Sequence, residues 1–235
     1  MLCVLLIAGC GEKKQVSARM PALPPSISAA PEPLPTRSEK PPLPAITAPT
    51  DAQPLLTETG MASWYGPPYH NRQSSNGETY DMNAMTAAHR TLPLNSVVRV
   101  TNLRSGASTL VRITDRGPFV EGRVIDLSLA AAKAIDVWRP GTAPVKLELL
   151  DTPAALDSAG RWCVQIGAFH EQRAAAELRE RLSRRYLTAK VLDFPSPAGD
   201  WWVRVRVLDD DRRRAEEVTR DTHPDEGSVF LVRLD

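Results

Sequence analysis

The chain has 235 residues, which is room for one or two compact domains. Its 29 basic and 28 acidic residues leave a formal net charge of +1, so no overall field favours nucleic acid or broad adsorption to anionic membranes. Hydrophobic residues make up 42% of the chain, which is enough for a packed core, and the 21 prolines are unevenly spread.

Residues 1–10 begin with a short apolar run and end in a cysteine. Residues 2–8 are too few to cross a bilayer as a helix and are typical of the apolar part of a signal peptide. Cys10 follows small residues, which resembles the lipobox of bacterial lipoproteins and predicts acylation of its thiol and a lipid anchor in the cell envelope. The residue after Cys10 is Gly11 and not the aspartate that is often linked with inner-membrane retention in enterobacteria, which favours the outer membrane. Once the signal is removed, Cys163 is the remaining thiol, and no intramolecular disulfide is expected.

Residues 11–56 form a proline-rich tract. Prolines recur from Pro21 to Pro54, alanine, serine and threonine fill most gaps, and no apolar period is present. Such a tract buries too little surface to order itself, so it is predicted to be a disordered tether. Fully extended, it would span on the order of 140 Å at about 3.1 Å per residue. A PxxP signalling ligand is the alternative, but an envelope location argues against it.

Residues 57–151 change to short β-branched runs. Alternation within these runs predicts four strands, at Ser96–Thr101, Thr109–Thr114, Arg123–Leu127 and Val145–Leu150. A turn is expected at Leu103–Gly106, and Ser128 is predicted to cap a short alanine-rich helix over Leu129–Ile135. Many short strands with one or two helical turns indicate a small barrel.

After a linker at 152–160, residues 161–235 alternate strands and helices. Strands are predicted at Trp162–Ile166, Val191–Phe194, Trp201–Val207 and Val229–Leu234, and helices at Glu171–Arg184 and Arg212–Arg220. The second helix has Asp211 as a candidate N-cap, and Val203, Val205 and Val207 are expected to pack under the helices. The order βαββαβ indicates a ferredoxin-like domain with one four-stranded sheet and two helices on one face.

Several polar motifs lie beside the predicted barrel strands. They occur in this order: Gly60–Gly66, Asn76–Glu78, Thr86–Leu94, Val98–Leu103 and Asp115–Phe119. Together they resemble the rare lipoprotein A family, in which a six-stranded double-psi β-barrel precedes a SPOR domain. The resemblance implies a lytic transglycosylase at the division septum that acts on peptidoglycan strands stripped of stem peptides. It would cleave the bond between N-acetylmuramic acid and N-acetylglucosamine and leave 1,6-anhydro ends.

Such a reaction sets chemical requirements for the site. A carboxylic acid must protonate the glycosidic oxygen that leaves C1 of the muramic acid, and the oxocarbenium-like centre must be stabilised. A base must then deprotonate the C6 hydroxyl so that it closes on C1. One carboxylate can serve in both proton transfers, because no water has to be activated, and a raised pKa beside a second, ionised carboxylate would suit it.

Four residues are candidates for catalysis: Asp115, Glu78, His89 and Asp126. Asp115 and Glu78 are favoured for proton transfer, and His89 is expected to orient a carboxylate or bind the sugar. Asp126 matches the acid of related barrels such as expansins, whose motif likewise continues as Asp-Leu-Ser. Three of them also have an ordinary structural alternative: Asp115 as a turn residue, Asp126 as a cap of the alanine-rich helix, and His89 as a hydrogen-bonded structural histidine.

Further barrel residues are candidates for holding the sugar. Trp64 and Tyr65 are predicted to stack on sugar rings or to form the groove wall or core. Arg116 could neutralise or steer Asp115. No cofactor is expected, and no metal site either, since His70 and His89 lack a recognisable ligand spacing.

The run Trp162–Phe169, followed by a helix that contains Ala-Ala-Glu-Leu, resembles a SPOR domain. That resemblance implies binding of denuded septal glycan. Strand alternation places Gln165, Trp202, Arg204 and Arg206 on an outward sheet face, where an aromatic ring and several donors suit a sugar polymer. Single-stranded RNA could use the same groups, but export to the envelope makes nucleic acid an unsuitable partner. The alternatives are an ordinary solvated sheet face and, for the whole chain, a non-catalytic expansin-like glycan-binding or scaffolding lipoprotein.

Overall fold

A computed structural model describes residues 53–156, 160–196 and 199–235 of the chain. The predicted signal peptide, Cys10 and nearly all of the predicted tether lie outside the described residues. In the part of the chain that is described, no helix is long and apolar enough to cross a membrane.

The first described domain is a closed barrel of six strands. These strands are β1 (Leu56–Trp64), β2 (Thr86–Ala88), β3 (Val97–Asn102), β4 (Ser108–Asp115), β5 (Arg123–Leu127) and β6 (Ala143–Asp151). Their order around the barrel is β1-β5-β2-β4-β3-β6, and the pairs β1·β5 and β2·β4 are parallel. Because the sheet closes on itself, the barrel has no free edge. The expected double-psi β-barrel is confirmed.

Alternate strand positions fill the barrel interior. Val98 and Val100 on β3 and Val111 and Ile113 on β4 have no exposed surface, whereas Arg99 between the two valines is partly exposed. Each fully buried aliphatic side chain of this size stabilises the fold by about 1.5–3 kcal/mol. The interior is therefore a packed core, and polar chemistry is confined to the ends and outer surface of the barrel.

The predicted cap of the barrel's helix is present. Helix α1 (Leu129–Ala134) begins after Ser128, whose Oγ accepts a hydrogen bond from the Ala131 amide at 3.1 Å. The same hydroxyl donates to the Ala84 carbonyl at 2.6 Å, which ties the helix to the chain before β2. The helix thus closes the barrel beside the end of β5, and its capping residue is Ser128 rather than Asp126.

The second described domain has the predicted order βαββαβ. Its elements are β7 (Trp162–Phe169), α2 (Gln172–Arg185), β8 (Lys190–Pro195), β9 (Trp201–Arg206), α3 (Arg212–Asp221) and β10 (Ser228–Arg233). The strands form an antiparallel sheet in the order β10-β7-β9-β8. Asp211 accepts a hydrogen bond from the Arg214 amide at 2.9 Å, so the predicted N-cap of α3 is confirmed.

Both helices pack on one face of this sheet, as predicted. The sheet contributes Val164, Ile166, Val203, Val205 and Val207, and the helices contribute Ala175, Leu178, Leu182, Ala215 and Val218. Val203 and Val205 have no exposed surface, because alternate positions of β9 lie under α2, whereas α3 packs on β7 and β10. This face is the hydrophobic core of the second domain.

The opposite face of the sheet is apolar as well and is covered by the barrel. Phe119, in the loop after β4, places its ring 5.4 Å from the Trp202 ring and 5.9 Å from the Phe230 ring. Trp202 retains 7% of its exposure and Gln165 retains 3%. The prediction that these two side chains face solvent is therefore wrong. The apolar side chains beside them, including Cys163, are buried as well. This burial stabilises a sheet that is covered on both faces.

Hydrogen bonds fix the same contact between the two domains. The Arg233 amide donates to the Arg90 carbonyl at 3.0 Å, and the Arg90 guanidinium lies 5.5 Å from the Phe230 ring centre. The Arg116 guanidinium donates to the backbone oxygen of Asp235 at 2.5 Å. Strand β10 and the residues after it are therefore part of the barrel's packing.

Candidate active site

Two aspartates lie on either side of one alanine at the end of the barrel. Ala88, the last residue of β2, pairs with Asp115 on β4 and with Asp126 on β5. Neighbouring strands are about 4.8 Å apart, so the Cα atoms of the two aspartates are separated by about 10 Å. Residues opposite each other on adjacent strands point to the same face, and Ala88 fills the space between them with a methyl group only. Both aspartates line one open cleft.

Asp115 is held rigidly by three donors. Its Oδ1 accepts hydrogen bonds from the Ser75 hydroxyl at 2.5 Å, the Ser75 amide at 3.1 Å and the Arg116 amide at 2.8 Å. The last of these bonds is the turn interaction expected for an aspartate before Arg-Gly-Pro. Because all three end on Oδ1, Oδ2 is the oxygen that Asp115 can offer to a substrate.

Asp126 lies in a drier environment than Asp115. Burial raises the pKa of its carboxyl above the ordinary value, and this effect outweighs the opposing influence of three neighbours, Arg123, Ser63 and Arg90. The Nη2 of Arg123 donates to Oδ2 at 3.2 Å, and the Ser63 hydroxyl donates to Oδ1 at 2.6 Å. The cleft thus contains one carboxyl group with a raised pKa and a second carboxyl group with different surroundings, an arrangement that would suit cleavage of a glycosidic bond.

An irregularity in the pairing of β1 with β5 brings Arg123 to Asp126. Met61 pairs with Arg123 and Ala62 with Ile125, so Val124 is an extra residue in β5. In a regular strand, residues three positions apart point to opposite faces, whereas a bulge reverses the alternation beyond it. The bulge therefore allows the ion pair between Arg123 and Asp126.

An aromatic wall faces the carboxylates. The cleft encloses about 440 Å³ and is lined by Tyr65, Tyr69 and Tyr80 among others. The rings of Tyr65 and Tyr80 stack with centres 4.4 Å apart, and Tyr69 meets Tyr65 edge to face at 6.0 Å. Burial raises the pKa of both Tyr65 and Tyr80, so their rings are neutral surfaces suited to a sugar. Trp64 packs against the barrel core and is not among the described residues lining the cleft.

Arg116 lines the cleft, but its guanidinium is used within the protein. It donates to the carbonyl of His89 at 3.0 Å, to that of Leu92 at 2.6 Å and to the backbone oxygen of Asp235. Burial lowers the pKa of Arg116 to about 10, with the nearby Arg233 adding to the effect. These contacts support a structural function for Arg116, and its predicted binding of substrate stays a prediction.

Glu78 lies apart from the two aspartates. Its carboxylate accepts two hydrogen bonds from the Arg112 guanidinium, at 3.0 and 2.6 Å, and its amide donates to the Asn76 side chain at 3.1 Å. It is not among the described residues that line the cleft. The structure therefore places Glu78 in an ion pair on the outside of β4, and its predicted function in proton transfer stays a prediction.

His89 is buried and hydrogen-bonded within the protein, and its predicted function in catalysis stays a prediction. Its Nδ1 accepts hydrogen bonds from the amides of Thr91 and Leu92, at 3.2 and 3.0 Å. Nε2 must therefore carry the proton, and it donates to Glu58 at 3.2 Å. His89 is 3% exposed and is absent from the described cleft lining. Among the described residues, no group of three histidine, cysteine, aspartate or glutamate side chains could hold a metal ion.

The sheet of the second domain forms part of the same cleft. Three of its four predicted glycan-binding residues, Gln165, Trp202 and Arg204, line the cleft with the barrel aspartates. Arg206 does not, and instead forms an ion pair with Asp210 at 2.5 Å. Strand alternation placed all four on one face, but the barrel reaches only the part of that face nearest Phe119.

The residues that orient the aspartates were not predicted from the sequence. Ser63 and Ser75 donate to Asp126 and Asp115 across 63 and 40 positions of sequence, and Arg123 depends on the bulge. Ser63 lies directly before Trp64 and Tyr65 in the Gly60–Gly66 motif. That position was the one sequence signal that could have indicated its function. Tyr69 and Tyr80 carried no recognisable pattern before the fold brought them against Tyr65.

Comparisons with known proteins agree with this architecture. The family model for lytic transglycolases matches residues 57–147, and the SPOR domain model matches residues 158–220. Among solved structures, an expansin from Clavibacter michiganensis aligns with 76% of this chain and 90% of its own, at 13% identity and a TM-score of 0.34. That likeness is too distant to support an argument about function.

Curated relatives from several bacteria carry the name endolytic peptidoglycan transglycosylase RlpA. The protein from Campylobacter jejuni is 56% identical over 94 residues, which cover 40% of this chain and 34% of the relative. The protein from Helicobacter pylori strain J99 is 42% identical over 151 residues, covering 52% and 48%. The protein from Vibrio cholerae is 58% identical over 118 residues, covering 47% and 45%. The chain spans less than half the length of each of these relatives.

Proposed function

Because the chain belongs to the rare lipoprotein A family, we propose that it is an endolytic peptidoglycan transglycosylase that acts on glycan strands stripped of stem peptides. The observation that carries the proposal is the pair of cleft aspartates, of which Asp126 has a raised pKa and Asp115 is fixed by three donors. The names of the relatives support the reaction type, and the aromatic wall supports a sugar substrate.

In the proposed mechanism, Asp126 is the general acid. Its proton passes to the glycosidic oxygen as the bond from that oxygen to C1 of the muramic acid breaks, which leaves Asp126 ionised. The same carboxylate then takes the proton of the C6 hydroxyl, whose oxygen closes on C1. The product carries a 1,6-anhydro ring, Asp126 regains its proton, and no water is consumed.

Asp115 stabilises the charge that develops during bond cleavage. Asp115 lies on the other side of Ala88, with its Cα about 10 Å from the Cα of Asp126. Its carboxylate can therefore reach the same sugar ring as Asp126. Since Ser75 and Arg116 fix its Oδ1, Asp115 needs little reorganisation to face a positive C1. Tyr65, Tyr69 and Tyr80 would hold the ring by stacking.

The proposal is tested by product analysis. Protein and amidase-treated sacculi should release fragments with 1,6-anhydro ends by mass spectrometry, and Asp126→Asn should lower the rate about 10²–10⁴-fold. Asp136→Asn changes an exposed aspartate outside the cleft and is the matched control. Equal product from Asp126→Asn and the wild type would overturn the mechanism. Ordinary reducing ends would indicate a hydrolase, and co-sedimentation with sacculi without soluble products would indicate a glycan-holding protein.

We further propose that the protein works in the cell envelope at the division septum, held by lipid on Cys10 in the outer membrane. The SPOR match supports a septal glycan site, and the lipobox-like run supports the anchor. Cys10→Ala should move the protein from the membrane fraction to the soluble periplasmic fraction, because each buried methylene of an acyl chain contributes about 0.8 kcal/mol of membrane binding. Retention of the variant in the outer-membrane fraction would contradict the anchor, and Cys163→Ala is the control.

A further inference from the structure

Three buried hydroxyl groups lie together behind the aromatic wall of the cleft. They belong to Tyr65, which follows β1, to Thr86 on β2 and to Thr114 on β4. Burial raises the pKa of Tyr65, and the hydroxyls of Thr86 and Thr114 act in the opposite direction, which places both beside the Tyr65 hydroxyl. All three oxygens are shielded from solvent, and none has a partner at full hydrogen-bond geometry among the described residues. The cluster is therefore polar, closed and unused by the contacts described so far.

Strand register brings the two threonines to the same face of the barrel sheet. Ala87 on β2 pairs with Ile113 on β4, and both side chains belong to the barrel core. Successive residues of a strand point to opposite faces, so Thr86 and Thr114, next to this pair, point away from the core. They are nevertheless only 6% and 3% exposed, and the Tyr65 hydroxyl lies against them. The hydroxyl cluster thus joins the outside of the barrel sheet to the aromatic wall.

Thr114 is also the residue that sets the direction of Asp115. Ala87 pairs with Ile113, but the next residue of β2 pairs with Asp115. Thr114 is therefore an extra residue of β4 and forms a β-bulge, which reverses the alternation beyond it. Asp115 consequently points into the cleft instead of into the barrel. A group that fixes Thr114 also fixes the direction of the Asp115 side chain.

Tyr65 is anchored well enough to hold the bulge. Its backbone amide donates to the Leu127 carbonyl at 3.0 Å, and its carbonyl accepts a hydrogen bond from the Tyr80 hydroxyl at 2.8 Å. Its ring stacks on the Tyr80 ring. Since Leu127 is the residue after Asp126, Tyr65 connects the strand of one aspartate to the strand of the other.

We propose that the Tyr65 hydroxyl is a positioning group for catalysis, which acts through the hydroxyls of Thr86 and Thr114 to hold the bulge of β4 and keep Asp115 directed into the cleft. A hydroxyl donates one hydrogen bond and accepts two, so three adjacent hydroxyls can satisfy one another directly or through one shared water. This inference rests on the proposed function, in which Asp115 faces the positive C1. It gives the two parts of Tyr65 separate functions, because the ring touches the sugar and the hydroxyl acts through Asp115.

The test measures kcat and KM for release of anhydro products from amidase-treated glycan by full-length proteins. Tyr65→Phe removes the hydroxyl and keeps the ring, Thr114→Val removes a second hydroxyl at nearly constant volume, and Thr114→Ser keeps that hydroxyl. Tyr186→Phe and Thr222→Val are the matched controls. Their hydroxyls are also buried without a partner among the described residues, but they lie in the second domain outside the cleft.

Tyr65→Phe and Thr114→Val should each lower kcat about 10- to 100-fold, because a small misplacement of Asp115 weakens its interaction with the reacting centre. KM should stay unchanged, since the stacking ring is retained, and Thr114→Ser should keep most of the wild-type kcat. An unchanged kcat in Tyr65→Phe would overturn the inference. An equal loss in Thr114→Ser or in Tyr186→Phe would overturn it as well, since packing or general stability would then explain the effect.

Amide hydrogen exchange gives a second readout that needs no activity. The Ser75 amide donates to Oδ1 of Asp115 at 3.1 Å, so its exchange rate shows whether the carboxylate keeps its position. Exchange at Ser75 should be about tenfold faster in Tyr65→Phe and Thr114→Val than in the wild type, and unchanged in Tyr186→Phe. Equal exchange in all four proteins would overturn the inference whatever the kinetics show. If the wild type forms no product, the proposed function fails, and exchange at Ser75 alone decides whether the cluster holds Asp115.

Discussion

At the scale of single residues, the cleft separates two aspartates by their surroundings. Burial raises the pKa of Asp126, and Arg123 partly opposes that rise by stabilising the ionised form. Asp115 has a serine hydroxyl and two backbone amides on one oxygen. Two carboxyl groups of the same chemical type can therefore act differently in one reaction, one as a proton donor and one as a fixed charge.

Replacement of Arg123 tests this balance. A general acid works in its protonated form, so kcat should fall as the pH rises through the raised pKa of Asp126. Arg123→Gln removes the positive charge that lowers this pKa, so the fall in kcat should move to higher pH. A kcat profile between pH 4 and 8 measures the shift, with the exposed Arg139→Gln as control. An unmoved profile would mean that another group donates the proton.

His89 gives the protein a separate dependence on pH. Burial lowers the pKa of His89, although its hydrogen bond to Glu58 works in the opposite direction. The unfolded chain therefore takes up a proton near pH 6.5 while the folded protein keeps the ring neutral. The stabilising contribution is complete above that pH and is lost as the pH falls through it, by about 1.4 kcal/mol for each unit between the two pKa values.

His89→Asn is expected to flatten the stability profile. The asparagine oxygen can accept the amide hydrogen bonds that Nδ1 accepts, but it does not titrate. The wild type should lose thermal stability between pH 7 and 5 by a few degrees, and the variant, although less stable throughout, should lose less. Melting temperatures by circular dichroism measure the difference, with the exposed His223→Asn as control. A parallel slope for wild type and His89→Asn would contradict the assignment.

At the scale of elements, strand patterns predicted most of the fold. The four barrel strands and all six elements of the second domain were predicted to within a few residues at each end. Strands β1 and β2 were not, because Leu56–Trp64 has weak alternation and Thr86–Ala88 is only three residues long. Both are held by pairing with distant strands, which local propensity does not encode.

The same limits explain which site residues were predicted. Asp115 and Asp126 stand at strand positions that motif and family resemblance single out, and the register then places them beside Ala88. Glu78 and His89 belong to the same motifs, yet their side chains are bonded to Arg112 and Glu58 outside the cleft. Which polar residues converge depends on bulges and long-range register, and neither is visible as a sequence period.

The loop after β4 is predicted to control domain contact. Phe119→Ala removes the ring that packs on Trp202 and Phe230, and should weaken docking of the second domain by about 2–3 kcal/mol, since Phe119 is only partly buried. Hydrogen–deuterium exchange should then rise in β10 and in the outer positions of β7. Leu187→Ala, at an 87% exposed leucine, is the control. Unchanged exchange in β10 would mean that the backbone hydrogen bonds alone hold the contact.

At the scale of the whole molecule, the second domain forms a wall of the cleft and is expected to stabilise the barrel. The Arg116 guanidinium and the Leu94 amide both donate to the backbone oxygen of Asp235, and the Arg90 guanidinium lies against the Phe230 ring. A barrel without residues 161–235 would expose Phe119 and leave Arg116 short of one acceptor in a buried site. Loss of septal localisation after such a deletion would therefore mix two effects, loss of glycan binding and loss of barrel stability.

Deletion of residues 161–235 should lower the unfolding free energy of the barrel by about 2–4 kcal/mol, from one charged hydrogen bond and the exposure of an aromatic ring. Urea unfolding of the soluble Cys10→Ala protein measures the change, and deletion of residues 12–50 instead is the control, because that tract is predicted to have no packed contacts. An unaltered midpoint for the isolated barrel would show that the domain contact adds nothing to its stability. If the midpoint falls as expected, septal targeting is better tested with a fluorescent fusion that carries Arg204→Gln, which leaves the contact between the domains in place.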